Sequence, residues 1–173
     1  MSNLIKIIKR VVVLIPVNKE FKFLMQLRDF KSEITAPGQW GFFGGGVEIG
    51  EVSIQAAYRE LHEELNIQNV NLVKLGEQEK KVSDLPGLYS TAYTFFLNEN
   101  KSNIKLLEGV DYKFASFNEI NSGYIYSNKF KKKFQVVKTK YINKTLLQAL
   151  EFWKNENKRI NLFNDYNKFY TIQ

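Results

Sequence analysis

The 173-residue chain predicts an α/β fold, a mixed β-sheet with helices packed against it. Three observations predict it. Two apolar, strand-like runs, RVVVLIPV (10–17) and FKFLMQLR (21–28), lie three residues apart near the start. The period then changes to a helical one from Val52 to about Leu65. Strand-like runs rich in Tyr, Thr and Phe follow, and an amphipathic stretch from about Tyr141 to Asn155 comes late. A chain of this length, 44% hydrophobic and 25% charged, is able to bury a sizeable core and suits one domain.

Each element has its own reason. The N-terminal MSNLIKIIKRVVVLIPV is apolar, but Lys6, Lys9 and Arg10 interrupt it. It is too short to span a bilayer and has no small-residue cleavage site, so it reads as a strand. Asn18, Lys19 and Glu20 join the first two strands as a hairpin turn without the strong Asn-Gly signal. The stretch DFKSEITAPGQWGFFGGGVEIGE follows, with Pro37, Gly38, Gly41 and the triplet Gly44–Gly46. Its glycines suit backbone that needs positive φ or a close approach to a ligand. In the helix from Val52, residues Ile54, Tyr58, Leu61 and Leu65 share one face, and His62 points away from it. Val70–Val82 and Tyr89–Leu97 read as strands around the turn SDLPG (83–87), and DYKFASF (111–117) as a strand running into a small helix near Phe117–Ile120. The late helix offers Leu146, Leu147, Leu150 and Trp153 as its buried side. The last eighteen residues admit a strand, a packed arm or a frayed tail. No repeat, linker or second domain is visible, so residues 1–173 read as a single domain with the segment from about 141 to 173 packed on it.

The composition narrows the function. The chain has no cysteine, which excludes disulfides and thiolate metal sites and suits a reducing, cytoplasmic setting. The formal net charge is +7, much of it around KFKKKF (129–134) and at Lys138, Lys140 and Lys144. Such an excess is either a solvated lysine surface or an attraction for phosphate.

The chemistry concentrates in RELHEEL (59–65), where Glu60, Glu63 and Glu64 crowd one helix. Like charges at these spacings cost an isolated helix roughly 0.2–0.5 kcal/mol per pair. Glu60 and Glu64 fall together on the flank of the apolar face, Glu63 is within reach of Glu60, and Arg59 forms an i, i+4 pair with Glu63. A divalent cation against the helix would remove the repulsion. Hard cations prefer oxygen ligands, and Mg²⁺ takes only a few carboxylates while keeping waters.

Read together with the preceding loop, GGVEIGEVSIQAAYRELHEELNI has Gly45, five residues, Glu51, seven residues, then Arg59, Glu60, Leu61, Glu63, Glu64, Asn66 and Ile67. It closely resembles the Nudix box, Gly-x5-Glu-x7-Arg-Glu-U-x-Glu-Glu-x-Gly-U, with U bulky and aliphatic. Eight of the nine specified positions match, within a box of 23 residues, 45–67. Trp40 and the pair Gly44, Gly45 resemble the family's lead-in. Asn66 replaces the box glycine, but Asn is the next most tolerant residue in the left-handed conformation of a helix C-cap. Phe43 stands where many members have proline.

The resemblance implies a Nudix fold, an α/β/α sandwich around a mixed sheet. It implies a Mg²⁺-dependent pyrophosphohydrolase, with Mn²⁺ as the alternative ion, that cleaves a nucleoside diphosphate linked to a group X. Glu60 and Glu64 are then the metal ligands and Glu63 a third ligand or a water-activating base. The Gly44 carbonyl adds an oxygen, Arg59 holds a box glutamate, and Glu51 steadies the loop on the helix. A later-loop acid often completes the site; Glu108 stands in a suitable place, Asp84 and Asp111 in weaker ones. The box does not assign the substrate-binding residues. A dNTP, oxidised dGTP or a nucleotide sugar all fit, with Trp40, Phe42, Phe43 and Tyr89 available for stacking or for the core. Pro86 and Tyr89 do not match the substrate-specific motifs of known subfamilies. A second reading is an RNA 5′-end pyrophosphohydrolase or decapping-type enzyme, supported by the basic C-terminal third. A third is a non-catalytic nucleotide-binding module, which the intact box glutamates disfavour. Many relatives are homodimers, and no membrane partner is expected.

Overall fold

In the computed structural model, which describes residues 9–82, 85–97, 104–138 and 142–170, β1 (Lys9–Val17) and β2 (Phe23–Leu27) form the expected hairpin, closed by the pair Val17 and Phe23. Asn18 replaces the missing Asn-Gly chemistry: its Oδ1 accepts the Glu20 N–H (3.0 Å) and the Lys22 N–H (2.9 Å). β3 (Trp40–Gly41) pairs antiparallel with β2, and from Phe43 onward the chain hydrogen-bonds to β1 instead. β4 (Val73–Val82) and β5 (Leu85–Phe96) are antiparallel; β5 lies parallel to β1 over the whole length of β1. β6 (Asp111–Ala115) pairs antiparallel with β2. The sheet is therefore mixed, in the order β3-β2-β1-β5-β4, with β6 joined to β2.

Helices cover both faces. The strand alternation in β1 divides the core, since successive side chains point to opposite sides. Val12 and Leu14 face α1 (Ser53–Leu65) together with Leu24, Phe43, Tyr93 and Phe95. Ile15 and Val17 face the other layer, where Phe23, Met25, Leu27 and Trp40 meet α2 (Phe117–Ser122), a hairpin of β7 (Tyr124–Ser127) and β8 (Lys132–Gln135), and α3 (Ile142–Tyr170). The Trp153 indole N–H donates to Thr94 Oγ1 (2.8 Å), whose hydroxyl donates to the Ile15 carbonyl (2.7 Å), tying α3 to the sheet.

Several expectations are corrected. On α1 the buried apolar residues are Ala56, Ala57, Leu61 and Leu65, and Tyr58 is exposed with its hydroxyl on the Val70 carbonyl. The two alanines let the helix lie close to the sheet, which a tyrosine on that face would prevent. On α3, Leu146 and Ala149 are buried and Leu147 is half exposed. Pro86 and Gly87 belong to β5 and not to a turn; Ser83 and Asp84 lie outside the described residues. The helix continues through most of the last eighteen residues, to Tyr170. The charge run KFKKKF (129–134) belongs to the β7–β8 hairpin. Its period of two puts Ile125, Ser127 and Phe134 inside and Tyr124, Tyr126, Lys133 and Gln135 outside. Trp40 and Phe43 are core side chains, which removes them from any stacking role. No described helix is long and apolar enough to cross a membrane.

Candidate active site

The glycine segment is held by β1. Val12 N–H donates to the Gly45 carbonyl and Leu14 N–H to the Phe43 carbonyl, both at 2.9 Å. Among the described residues the Gly44 carbonyl between them accepts no hydrogen bond. The Gly44 N–H turns the opposite way and donates to Glu64 Oε2 at 2.6 Å. This needs glycine: φ is +122°, and a Cβ would collide with the Val12 carbonyl oxygen. At Gly45 a Cβ would fall on the Glu60 carboxylate, so backbone and carboxylate are in close approach there.

The helix ends as the sequence predicts, with Asn66 left-handed at φ 53°, ψ 32° and its N–H on the His62 carbonyl. The chain then returns to the same end of α1. Lys105 N–H donates to the Leu65 carbonyl (3.2 Å) and Leu107 N–H to the Glu64 carbonyl (2.9 Å). These bonds bring Glu108, an exposed acid, beside the helix glutamates.

Arg59 organises the near side. Its Nε donates to Glu51 Oε1 (3.1 Å), Nη2 to Glu51 Oε2 (3.0 Å) and to the Gly46 carbonyl (2.7 Å), and Nη1 to Glu60 Oε1 (2.8 Å) and Glu63 Oε2 (3.0 Å). Glu51 also accepts the Glu48 N–H, so one guanidinium links loop and helix. These contacts raise the affinity of Arg59 for its proton, with the Glu51 bonds the largest cause, and hold Glu51 below the usual carboxylate range.

Glu64 is the unusual group. It is 2% exposed, and burial, reinforced by Glu108 and Glu60, pushes its pKa up to about 8 against the opposing bonds from Gly44 and Gln26. Glu60 is also raised, first by burial and then by Glu63 and Glu108, while Arg59 pulls it down. Glu64 and Glu60, both raised by burial and by neighbouring acids, offer the oxygen donors that a hard cation prefers. Glu63 stays within reach of Glu60, because Arg59 Nη1 donates to both, and it forms the i, i+4 pair expected from the spacing. Glu63 points outward, 55% exposed, onto Arg59. Among the described residues no group of three or more acidic or histidine side chains is placed to hold a metal ion. Glu108 and Glu60 are the acids near enough to Glu64 to raise it. Asp111 is turned to the other face of β6, where it accepts the Ser127 hydroxyl (2.5 Å). His62 is exposed, as predicted.

One contributor escaped the sequence reading. Gln26 is 1% exposed on β2, and its amide donates to Glu64 Oε1 (3.3 Å) and the Phe42 carbonyl (3.4 Å). A Cβ on Gly109 would lie 2.8 Å from Gln26 Oε1, so the loop carrying Glu108 passes close to the amide that binds Glu64. The signal was present: Gln26 is the one polar residue in the fully buried strand FLMQL.

A cavity of about 430 Å³ opens on the other side of the same glycines. Its floor is the rung Val11, Ser90 and Gln78 and the small residues Ala92 and Gly76; Phe42, Arg28 and the start of α3 wall it. Arg28 Nε is fixed on the Thr35 carbonyl (2.8 Å) and forms no ion pair among the described residues.

Residues 8–134 match the family model described as the NUDIX domain. Over 66 residues the chain is 44% identical to an RNA pyrophosphohydrolase of Azorhizobium caulinodans; the match spans 38% of this chain and 38% of that protein. The fold superposes on a MutT protein from Methanosarcina mazei with a TM-score of 0.62 at 20% identity, covering 90% of this chain and 99% of that one. It also superposes on the E. coli dihydroneopterin triphosphate pyrophosphohydrolase with a TM-score of 0.60 at 18% identity, covering 84% and 98%.

Proposed function

The chain belongs to the Nudix family, and from that premise we propose that it is a divalent-metal-dependent pyrophosphohydrolase cleaving a nucleoside diphosphate linked to a second group. The observation that carries this is the buried Glu64, fastened to the Gly44 N–H and brought close to Glu60 and Glu108. Glu60, Glu64 and the Gly44 carbonyl hold the cation, Mg²⁺ or Mn²⁺, which when bound neutralises the diphosphate and activates water. Glu108, exposed and near the buried Glu64 and the half-buried Glu60, accepts the proton of the attacking water. Glu63, paired to Arg59, serves the helix charge balance more directly than the chemistry. Arg59 and Glu51 hold Glu60 and the loop in register. Water adds to one phosphorus, the bond from that phosphorus to the bridging oxygen breaks, and a nucleoside phosphate and phosphorylated second group leave. The cavity beside Gly44 and Gly45 is of a size for one nucleoside or the second group, with Gln78 and Ser90 as hydrogen-bonding edges.

Small substrates, a dNTP, oxidised dGTP or a nucleotide sugar, suit that cavity. A 5′-triphosphorylated RNA end presents the same bond, and the resemblance to an RNA pyrophosphohydrolase over 66 residues favours it as the second reading. The test is phosphate and pyrophosphate release across nucleotides, nucleotide sugars, dinucleoside polyphosphates and triphosphorylated RNA, with Mg²⁺ or Mn²⁺. Metal-dependent turnover lost in Glu64→Gln is expected. Turnover that survives that substitution, or none on any substrate despite metal binding, overturns the proposal.

A further inference from the structure

The turn of the β7–β8 hairpin carries Lys129, Lys131, Lys132 and Lys133, all exposed. None of the four takes part in an ion pair among the described residues. Four like charges within five positions repel one another, so a surface that leaves them uncompensated suits a partner of opposite sign.

The hairpin is not free to wander. Lys129 Nζ donates to the Val110 carbonyl (2.7 Å), and Val110 N–H donates to the Leu27 carbonyl (2.8 Å). Ser127 Oγ bonds Asp111 and accepts the Phe130 N–H. Val110 is two residues from Glu108, and Gly109 between them rests on Gln26 beside Glu64. Lys129 is thereby tied through Val110 to the loop that carries Glu108, and the lysines after it continue from the turn into β8.

An aromatic platform accompanies them. Phe30 is 53% exposed and stands edge-on to Phe130 (5.5 Å) and tilted against Phe134 (5.7 Å). Lys132 Nζ lies over the Phe134 ring, 4.8 Å from its centroid, and Lys129 Nζ over that of Phe130, at 5.7 Å, which orders these ammonium groups on the aromatic cluster. An exposed ring among cations is the combination that binds single-stranded nucleic acid, where bases stack and phosphates pair.

We infer that this surface binds the strand of a 5′-phosphorylated single-stranded RNA whose end enters the active site, an inference that rests on the pyrophosphohydrolase reading. An RNA strand that continues beyond its phosphorylated end brings further phosphates and bases to this surface, which a mononucleotide lacks. The lysines therefore act on RNA alone, and they act on binding.

The test uses the full chain and a fluorescein-labelled 12-nucleotide RNA bearing a 5′-triphosphate, with anisotropy measured from 50 to 300 mM NaCl. For a single strand the slope of log K against log salt is about −0.7 per neutralised phosphate, so Lys131→Ala/Lys132→Ala/Lys133→Ala makes it shallower by about 2. Lys129 is left in place because it closes onto Val110. The triple variant raises KM for the RNA about tenfold or more and leaves kcat/KM for a nucleoside triphosphate unchanged. Phe30→Leu weakens RNA binding about tenfold through lost stacking, with the salt slope retained. An unchanged slope in the triple variant, an equal loss with the mononucleotide, or preference for phosphatidylserine vesicles over RNA each overturns the inference. Because anisotropy needs no turnover, an inert protein that still binds RNA through these lysines defeats the hydrolase reading and not the surface.

Discussion

Replacing Glu64 by glutamine should stabilise the metal-free protein while abolishing its activity. The unperturbed glutamate value is 4.5, and burial, with Glu108 and Glu60, raises the folded-state value to about 8. The folded chain therefore binds this proton more tightly than the unfolded chain, and stability falls as pH rises between those values, by about 1.4 kcal/mol per unit. The cost is about 1 kcal/mol at pH 5 and about 3 kcal/mol at pH 7, and it is complete only above pH 8. Glutamine has the same shape and no charge. Its oxygen accepts the Gly44 N–H, and the Gln26 amide flips to receive its NH₂. In chelator, the variant is expected to melt above the parent at pH 7 by roughly 6–12 °C, at about 2–4 °C per kcal/mol for a chain of this size, and by far less at pH 5. Other shifted acids, such as Glu51, Glu77 and Glu119, are common to both proteins and leave the difference between them unchanged. Saturating Mg²⁺ reverses the order, because only the parent gains from the ion. Calorimetric melting from pH 5 to 8 decides it. A variant less stable than the parent at pH 7 without metal, or a difference that ignores pH, would refute the electrostatic account of this site.

Two further outcomes follow from the same geometry. Gly45→Ala places a methyl on the Glu60 carboxylate, which Arg59 prevents from moving aside, so kcat/KM should fall about 100-fold for a loss of stability of only about 1–2 kcal/mol; steady-state kinetics beside urea unfolding checks this, and unaltered kinetics would contradict it. Gln26→Leu removes the amide that orients Glu64, and Mn²⁺ affinity by calorimetry should weaken about 10- to 100-fold, whereas unchanged affinity would mean that the Gly44 N–H alone orients the carboxylate.

The residues that bear on these outcomes were unequally legible. The box spacing identified Arg59, Glu60, Glu63 and Glu64 because helical period and charge are local properties of the chain. The same period misplaced Tyr58, since which flank of α1 is buried depends on how closely the sheet approaches, and Ala56 and Ala57 set that distance. Leu147 gave way to Ala149 for the same reason. In the hairpin, the lysines of KFKKKF masked a period of two that only Ile125, Ser127 and Phe134 reveal once buried.

By itself the sequence determined the family, the alternation of strands and helices, the left-handed cap at Asn66 and the presence of a carboxylate-rich helix. Each of these follows from short-range stereochemistry or from spacing along one element. Only the tertiary structure decided which carboxylates meet. Glu63 is drawn outward by Arg59, while the bonds from Lys105 and Leu107 to the end of α1 carry Glu108 inward across more than forty residues of chain. It also decided that Gln26 touches Glu64 and that Lys129 of the hairpin reaches the Val110 carbonyl, two residues from Glu108. Those contacts join segments far apart in the chain, and their energies depend on burial, which no local pattern contains.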